Sequence, residues 1–546
     1  MKNEIIKRRY HERQSERRPL DGILQQIERF VVPYRGNFFN DSSSEDETQW
    51  RQSQLYDSTA IQACDTLASS LQGALTSPSA MWFTLQFQNE DLNNTNDAMI
   101  WLEECNREVF EELQQANFNI EASEFYLDLC AYGTAIMTEE VVNEDSWDGI
   151  DFQSIPMKQC YFEPDHKGGV MNFYRTLNWT PLQILDKFGD ETPQDIREAA
   201  ESTSASERES IIFCIYRRQG VDLPKDGKPL VPKKRPYGFK YIRENDASQL
   251  GAEGGYYEQP AFIAKWRKVS GSMWGHSPAM VCLPDVLNIN ELIEATLEAA
   301  GKVIDPASIT TQRGLLSDLD LGRGGLTVVR NIGDLVPYET KSRFDVGEMV
   351  AENFRQSIRQ TFRVDQLQLK ESPAMTATEV QVRYEMMQRL LGPTLGRLQN
   401  DFLNPLVQRT FNILMRAGRL PEVPQIVAQS AGGMKVEYTG PLPRAQKMDT
   451  VRSMQEWLGV VAEASQMFPD MADVVNTDNF SRMSAKLMSI PALIVNDTEK
   501  IQEMRDARQE KQAQQEELMQ AQAEGEAMQA QGKGAQDMAA AEQGPI

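Results

Sequence analysis

Two helix-period segments separated by a short glycine-containing insert constrain this chain more than any other feature. Pro284–Val303 and Asp345–Val364 both carry helical periodicity; between them, Asp305–Thr340 holds a glycine-rich turn, Gly322–Gly325, and a β-prone run, Leu326–Arg330. At 1.5 Å per residue each helix is roughly 30 Å long. Such a pair can project a small α/β element from the end of a helical layer. Pro284 suits the first turn of the first helix, where a missing N–H is tolerated.

The flanking sequence predicts an α+β fold that is mainly helical. Gly22–Phe30 is helical, with Ile23, Leu24, Ile27 and Phe30 in register. A second helix starts near Ser58, places Ile61, Cys64, Leu67, Leu71 and Leu75 on one face, and stops at Ser77-Pro78. Met81–Phe87 reads as a strand, Asp97–Ala116 and Glu121–Ala131 as helices, and Thr134–Val142 as a strand after Gly133. From Asp151 to Val269, short β-prone runs such as Ile211–Tyr216 and Ala261–Trp266 alternate with Gly/Pro turns, with one helix near Pro181–Phe188. Gln366–Met375 is non-helical. A long helix capped by Thr376 or Thr378 then runs towards Arg419, with kinks at Gly392-Pro393 and Pro405. Helices dominate Arg444–Ile490, and the Gln/Ala/Glu/Met-rich end predicts partial helix running into disorder.

Composition narrows the function classes. The chain has 546 residues, 40% of them hydrophobic, enough for several packed domains. No stretch approaches the roughly 20 apolar residues of a membrane span, and the mean hydropathy is -0.50. Met1–Arg18 is Arg/Lys-rich and lacks an apolar signal core, so the chain is expected to stay in the cytoplasm where it is made. The six cysteines are scattered singly, which predicts buried free thiols, and the three histidines lie far apart. A net charge of -24 argues against tight non-specific nucleic-acid binding, but not against a wall past which DNA slides. Gly227-Lys228, Gly301-Lys302 and Gly532-Lys533 all fail the GxxxxGK(S/T) phosphate-loop template. HExxH, GxSxG and dinucleotide fingerprints are missing too. No catalytic, metal or cofactor-binding residues can be nominated, and the expectation is a structural protein, not an enzyme.

Several segments resemble the portal, or head-to-tail connector, proteins of short-tailed bacteriophages. The most specific is Met375-Thr376-Ala377-Thr378-Glu379-Val380, followed by Arg383 and Leu391-Gly392-Pro393. Phe402–Leu406 with Arg409 and Gly418–Pro421 follows, as does Gly271–Met280, where Trp274 and His276 stand in place of the family's frequent Tyr and Arg. Weaker matches are Pro78–Leu85, Tyr132–Ala135 and Tyr438–Gln446.

The resemblance implies the following divisions of the chain: an N-terminal helical/wing part, 1–150; a β-rich wing, 151–280; a first stem helix, 281–304; a clip, 305–342; a second stem helix, 343–365; a channel loop, 366–375; a long kinked helix and return strand, 376–443; a helical crown, 444–496; and a partly disordered tail, 497–546. It also implies a twelve-subunit ring at one capsid vertex, assembled in the host cytoplasm. Double-stranded DNA would pass through the channel, and terminase, tail adaptors, and major capsid and scaffolding proteins would be partners; no membrane is involved. Channel-loop candidates are Gln366, Gln368, Lys370 and Glu371; Arg355, Arg359 and Arg363 recur every four residues as a basic stripe on the second stem helix. The competing expectation is another structural virion protein, a tail adaptor or internal core protein, with no DNA channel.

Overall fold

In the computed structural model, the apolar run at Ile211–Tyr216 lies in the middle of a five-stranded antiparallel sheet, which explains why it does not alternate with polar residues. The strands are β4 (Cys160–Pro164), β5 (Val170–Trp179), β6 (Glu209–Arg217), β7 (Tyr237–Arg243) and β8 (Gln249–Tyr256), in that spatial order. Side chains alternate between faces along a strand. Ile212, Cys214 and Tyr216 therefore pack with Tyr161, Tyr174 and Ile242 under Ile6 and Tyr10 of α1 (Asn3–Phe30). On the opposite face Phe213 meets Tyr241, ring centroids 4.6 Å apart, and Tyr241 meets Phe188 at 5.3 Å, from α5 (Pro181–Phe188), which α6 (Gln194–Glu201) follows. Covered on both sides, the strand reads as continuously hydrophobic.

The structure describes residues 1–35, 55–89, 92–143, 146–166, 168–202, 207–221, 230–310, 315–320, 327–338, 344–367, 392–429, 433–438, 441–465, 468, 474–488, 490, 494, 496, 500–515 and 519. The chain divides into two units. One comprises Met1–Phe83, Arg107–Leu420 and Tyr438–Pro443; the other comprises Thr84–Asn106, Pro421–Glu437 and Arg444–Ile546. The fold is α+β and mainly helical.

The first helix is much longer than Gly22–Phe30: α1 has 28 residues and runs through Pro19. Its basic stretch is drawn into the core by Arg17. That guanidinium donates to the carbonyls of Met157 (2.9 Å), Lys158 (2.9 Å) and Cys160 (3.1 Å) and to the Tyr161 hydroxyl (2.9 Å), and lies 4.2 Å from the Tyr161 ring centroid. A charge so fully hydrogen-bonded can be buried.

Beside this sheet stand α2 (Thr59–Leu75), α4 (Phe118–Tyr132) and a three-stranded antiparallel sheet ordered β3 (Ile150–Ile155), β2 (Thr134–Val141), β9 (Ala261–Lys265). Central β2 pairs Ile136 with both Ile155 and Ile263. Gly133, at φ +75°, ends α4 in the left-handed conformation that glycine adopts without a Cβ clash, and β2 starts at the next residue.

The first of the paired helices, α7, spans Pro278–Ile304. The expected start at Pro284 is therefore wrong. Ser277 caps the helix by accepting the Met280 N–H at 2.9 Å, Pro278 occupies its first turn, and Pro284 lies inside. Burial of Ala279, Cys282 and Leu283 before Pro284, together with the cap, outweighs the one hydrogen bond that the proline removes. The insert holds a two-stranded antiparallel ladder, β10 (Ser308–Thr310) with β11 (Leu335–Pro337). The expected strand at Leu326–Arg330 is only a single bridge, Leu315 to Val329, among the described residues; Gly322–Gly325 lies outside them.

The second paired helix, α8, spans Phe344–Thr361. A short α9 (Val364–Leu367) follows, and residues 392–398 are helical. The chain then passes through a π-turn, Gln399–Leu403, into α10 (Asn404–Arg416). Pro405 sits in the first turn of α10, and the wider π-turn just before it accommodates the missing N–H. The predicted helix start at Thr376–Glu379 lies outside the described residues.

The second unit contains most of α3 (Asn96–Gln115 overall), most of the paired strands β1 (Phe83–Phe87) and β12 (Met434–Tyr438), most of α12 (Pro441–Ser465), and the helices α11 (Gln425–Gln429) and α13 (Thr477–Leu487). Asn106 Oδ1 accepts the Leu85 N–H (2.8 Å), and the Trp101 indole N–H donates to the Pro421 carbonyl (3.1 Å). Residues 500–515 are helical; 521–546 lie outside the described residues.

Candidate functional site

The paired helices α7 and α8 are anchored at one end and bare at the other. At the anchored end Asn290, buried, accepts the backbone N–H groups of Tyr56 (2.9 Å) and Asp57 (3.2 Å) and donates to the Val286 carbonyl (2.8 Å). Asp57 is also buried and receives the Arg355 guanidinium at 2.9 Å, while its other oxygen accepts the Thr59 N–H at 2.9 Å. Ser357 on α8 donates to Asp285 on α7 at 2.7 Å. These contacts tie both helices to the start of α2.

Past Asn290 no residue of α7 is buried. Leu297 and Ile304 are 57% and 84% exposed, and Met349 on α8 is 63% exposed. The insert continues the pattern with Ile309, Leu316, Val336 and Tyr338, all exposed. Scattered single apolar residues on a surface are ordinary, but a run along one projecting segment marks an interaction surface.

Two of the three arginines of the expected stripe lie on one helix, and the third does not. Arg355 turns inward to Asp57, with Glu352 at 3.5 Å. Arg359 is exposed, with Glu352 at 3.8 Å. Arg363 is not on the helix at all, because α8 stops at Thr361 and Arg363 takes φ +59°. The stripe breaks there between Phe362 and Val364, which are both buried. Gln366 lies exposed within α9, so the segment expected to be a loop begins as helix; Gln368, Lys370 and Glu371 lie outside the described residues.

Where α8 ends and α7 begins, the structure leaves a cavity of about 360 Å³. Arg267, His276, Arg363 and Arg397 line it, with Gln360 and Ser277, and among the described residues no carboxylate does. Arg397 donates to the Trp266 carbonyl at 2.8 Å. One terminal nitrogen of Arg363, Nη1, is enclosed and makes no hydrogen bond. Burial, and then the like charge of Arg267, hold the Arg363 guanidinium below its ordinary range.

One buried charge cluster has no signature in the sequence. Glu139 on β2 is fully buried; its Oε1 accepts the Thr410 hydroxyl at 2.9 Å, and Oε2 lies 3.4 Å from Arg409 Nε, an ion pair without hydrogen-bond alignment. Arg409 also donates to the carbonyls of Glu139 (3.1 Å) and Glu258 (2.9 Å), and Arg416 pairs with the Glu258 carboxylate at 2.6 and 2.8 Å. Burial pushes the Glu139 carboxyl up to about 7, against the pull of Arg409 and Thr410. The cluster ties α10 to the three-stranded sheet. Among the described residues no group of His, Cys, Asp and Glu is placed to hold a metal ion, and no helix is long and apolar enough to cross a membrane.

The sequence is similar to two phage proteins along nearly its whole length. It is 25% identical over 502 residues to the probable portal protein of Bordetella phage BPP-1, covering 90% of this chain and 88% of that one. It is 24% identical over 507 residues to the portal protein of Salmonella phage epsilon15, covering 90% and 89%. Among solved structures, a chain from the virion of a native gene transfer agent particle aligns over 77% of this chain and 89% of its own, at 10% identity and a TM-score of 0.33, too loose a likeness to carry an argument. Residues 3–495 match the family described as bacteriophage head to tail connecting protein. A match of that extent takes in both units and the paired helices with their insert, and the chain belongs to the bacteriophage head-to-tail connecting proteins.

Proposed function

We propose that identical copies of this chain close into a ring of twelve at one vertex of the phage capsid, forming a conduit through which double-stranded DNA is packaged and later ejected. The observation that carries this reading is the exposed apolar run along distal α7, the insert and α8, joined to membership of the connector family. In a ring each copy offers that segment to its neighbours, and closed symmetry uses the same surfaces in every subunit. The β-rich region and its flanking helices would be the wing, α7 and α8 the stem, and the insert the clip, docking the terminase motor and later a tail adaptor. Residues 366–375 would form the channel loop, with Gln366, Gln368, Lys370 and Glu371 facing the duplex, and the helices after 444 the crown, near the capsid and scaffolding proteins.

The conduit is passive. The chain carries -24 net charges, so a duplex bearing one charge per roughly 1.7 Å of axis is repelled by its walls and does not stick. Translocation energy comes from a separate ATPase, because the sequence has no phosphate loop. Negative-stain images of the purified full chain test the reading. Rings with a central hole are expected; monomers persisting at high concentration, or compact assemblies with no hole, overturn it.

A further inference from the structure

We infer that the cavity between the end of α8 and the start of α7 is a binding pocket for a phosphate group, recognised by Arg363, Arg267 and Arg397. In a chain with 24 more acidic than basic side chains, this cavity is lined by three guanidinium groups and an imidazole and, among the described residues, by no carboxylate. Arg397 has an acidic neighbour, Asp401, whose carboxyl feels its charge; Lys265 and Lys268 lie near the same carboxyl. Among the described residues, no carboxylate pairs with Arg363 or Arg267. Arg267 lies close enough for its charge to disfavour the Arg363 cation, which burial already disfavours. Like charges held together against burial are relieved by an anion between them.

The backbone is shaped to hold this arrangement. Arg363 takes a positive φ that side chains other than Gly, Asn and Asp seldom adopt, and it is fixed there by buried Phe362 and Val364. The turn leaves its Nη1 enclosed and without a partner, a donor that an oxyanion would satisfy. The first turn of α7, a 27-residue helix with no acidic residue in that turn, opens on the same cavity through Ser277 and Pro278, so its positive end favours an anion as well. Forked guanidinium donors arriving from three elements suit the several oxygens of a phosphate. The group has two sources, free phosphate or the backbone of a duplex. Only the second rests on the conduit reading.

The test titrates inorganic phosphate, then a 20-base-pair duplex, into the purified full chain in chloride buffer and follows binding by calorimetry. Two variants are compared with the parent. Arg363→Asn removes the guanidinium but keeps a residue that tolerates φ +59°, and Arg267→Gln alters an exposed side chain. Saturable phosphate binding, weakened about tenfold or more by Arg363→Asn and less by Arg267→Gln, is expected. A duplex salt dependence that flattens by about one phosphate contact in Arg363→Asn assigns the backbone as the source; an unchanged slope, with phosphate binding still lost, assigns free phosphate. Both outcomes support the pocket. No saturable phosphate binding by the parent, or equal binding by parent and both variants, overturns it. Phosphate binding by a chain that forms no rings would remove the conduit and leave the pocket standing.

Discussion

Gly133 and Gly275 meet backbone to backbone: a methyl group at 275 would overlap the Gly133 carbonyl oxygen, and one at 133 would lie 2.7 Å from the Ser277 nitrogen. The same carbonyl accepts the Trp266 N–H at 2.9 Å, and the Gly275 N–H donates to the Thr134 hydroxyl at 2.8 Å. This contact seats the start of α7 against the end of α4.

Gly133→Ala and Gly275→Ala are each expected to destabilise the fold by on the order of 2–4 kcal/mol, the first from left-handed strain plus overlap, the second from overlap alone. Gly22→Ala is the control. It lies inside α1 with open space around it, and should be neutral or stabilise by up to about 1 kcal/mol. Chemical denaturation of the three variants measures the order; equal effects at 275 and 22 would contradict the contact.

Arg355 and Arg359 are both arginines of α8, yet they should behave differently. Arg355→Ala strands the buried Asp57 carboxylate and is expected to destabilise by about 2–3 kcal/mol, below the range for a fully buried pair because Arg355 is partly exposed. Arg359→Ala touches an exposed pair and should change stability by less than about 0.5 kcal/mol. Denaturant midpoints of the two variants provide the comparison.

Glu139 gives stability a pH dependence of defined sign. Its carboxyl is raised from 4.5 to about 7 in the folded state, so between those values the folded chain holds a proton that the unfolded chain has released. Stability from this group is therefore present below about pH 4.5 and falls as pH rises towards 7, by at most about 1.4 kcal/mol per pH unit. Glu139→Gln should remove that slope. Parallel pH profiles for parent and variant between pH 5 and 7 would refute the shift.

Leu297→Asp and Met349→Asp place charges on exposed positions of the paired helices, so the isolated subunit should unfold at the parent's denaturant concentration. If α7 and α8 bury these side chains between copies, each substitution forfeits about 1.5–3 kcal/mol per interface and puts a charge inside it. Sedimentation velocity should then show monomer in place of ring. Wild-type assembly by both variants would move the interface elsewhere.

The paired helices and their insert were legible because long periodic segments announce themselves, and the strand at Ile211–Tyr216 because all its residues but Cys214 are β-branched or aromatic. The start of α7 was misplaced because Pro278 and Pro284 both look like first-turn prolines, and only the Ser277 cap distinguishes them. Most of α1 was missed because Arg8, Arg9, Arg13 and Arg17 read as a solvated basic stretch, whereas Arg17 finds its carbonyl partners on residues about 140 positions away. The arginine stripe failed for a related reason. A four-residue spacing implies one face only while the helix lasts, and α8 stops at Thr361, before Arg363. The Glu139–Arg409 cluster joins residues 270 apart, a relationship no local pattern carries.

All six cysteines are buried and none is in a disulfide, and burial raises the thiols of Cys64, Cys130, Cys160, Cys214 and Cys282. A maleimide dye should find almost nothing to label on the native chain, since the thiolate is the reactive form. The parent sequence thus serves as a silent background on which one cysteine introduced at the bare tip of α7 becomes a lone optical reporter. Any slow dye uptake by the unmodified chain would time the moments when its interior opens.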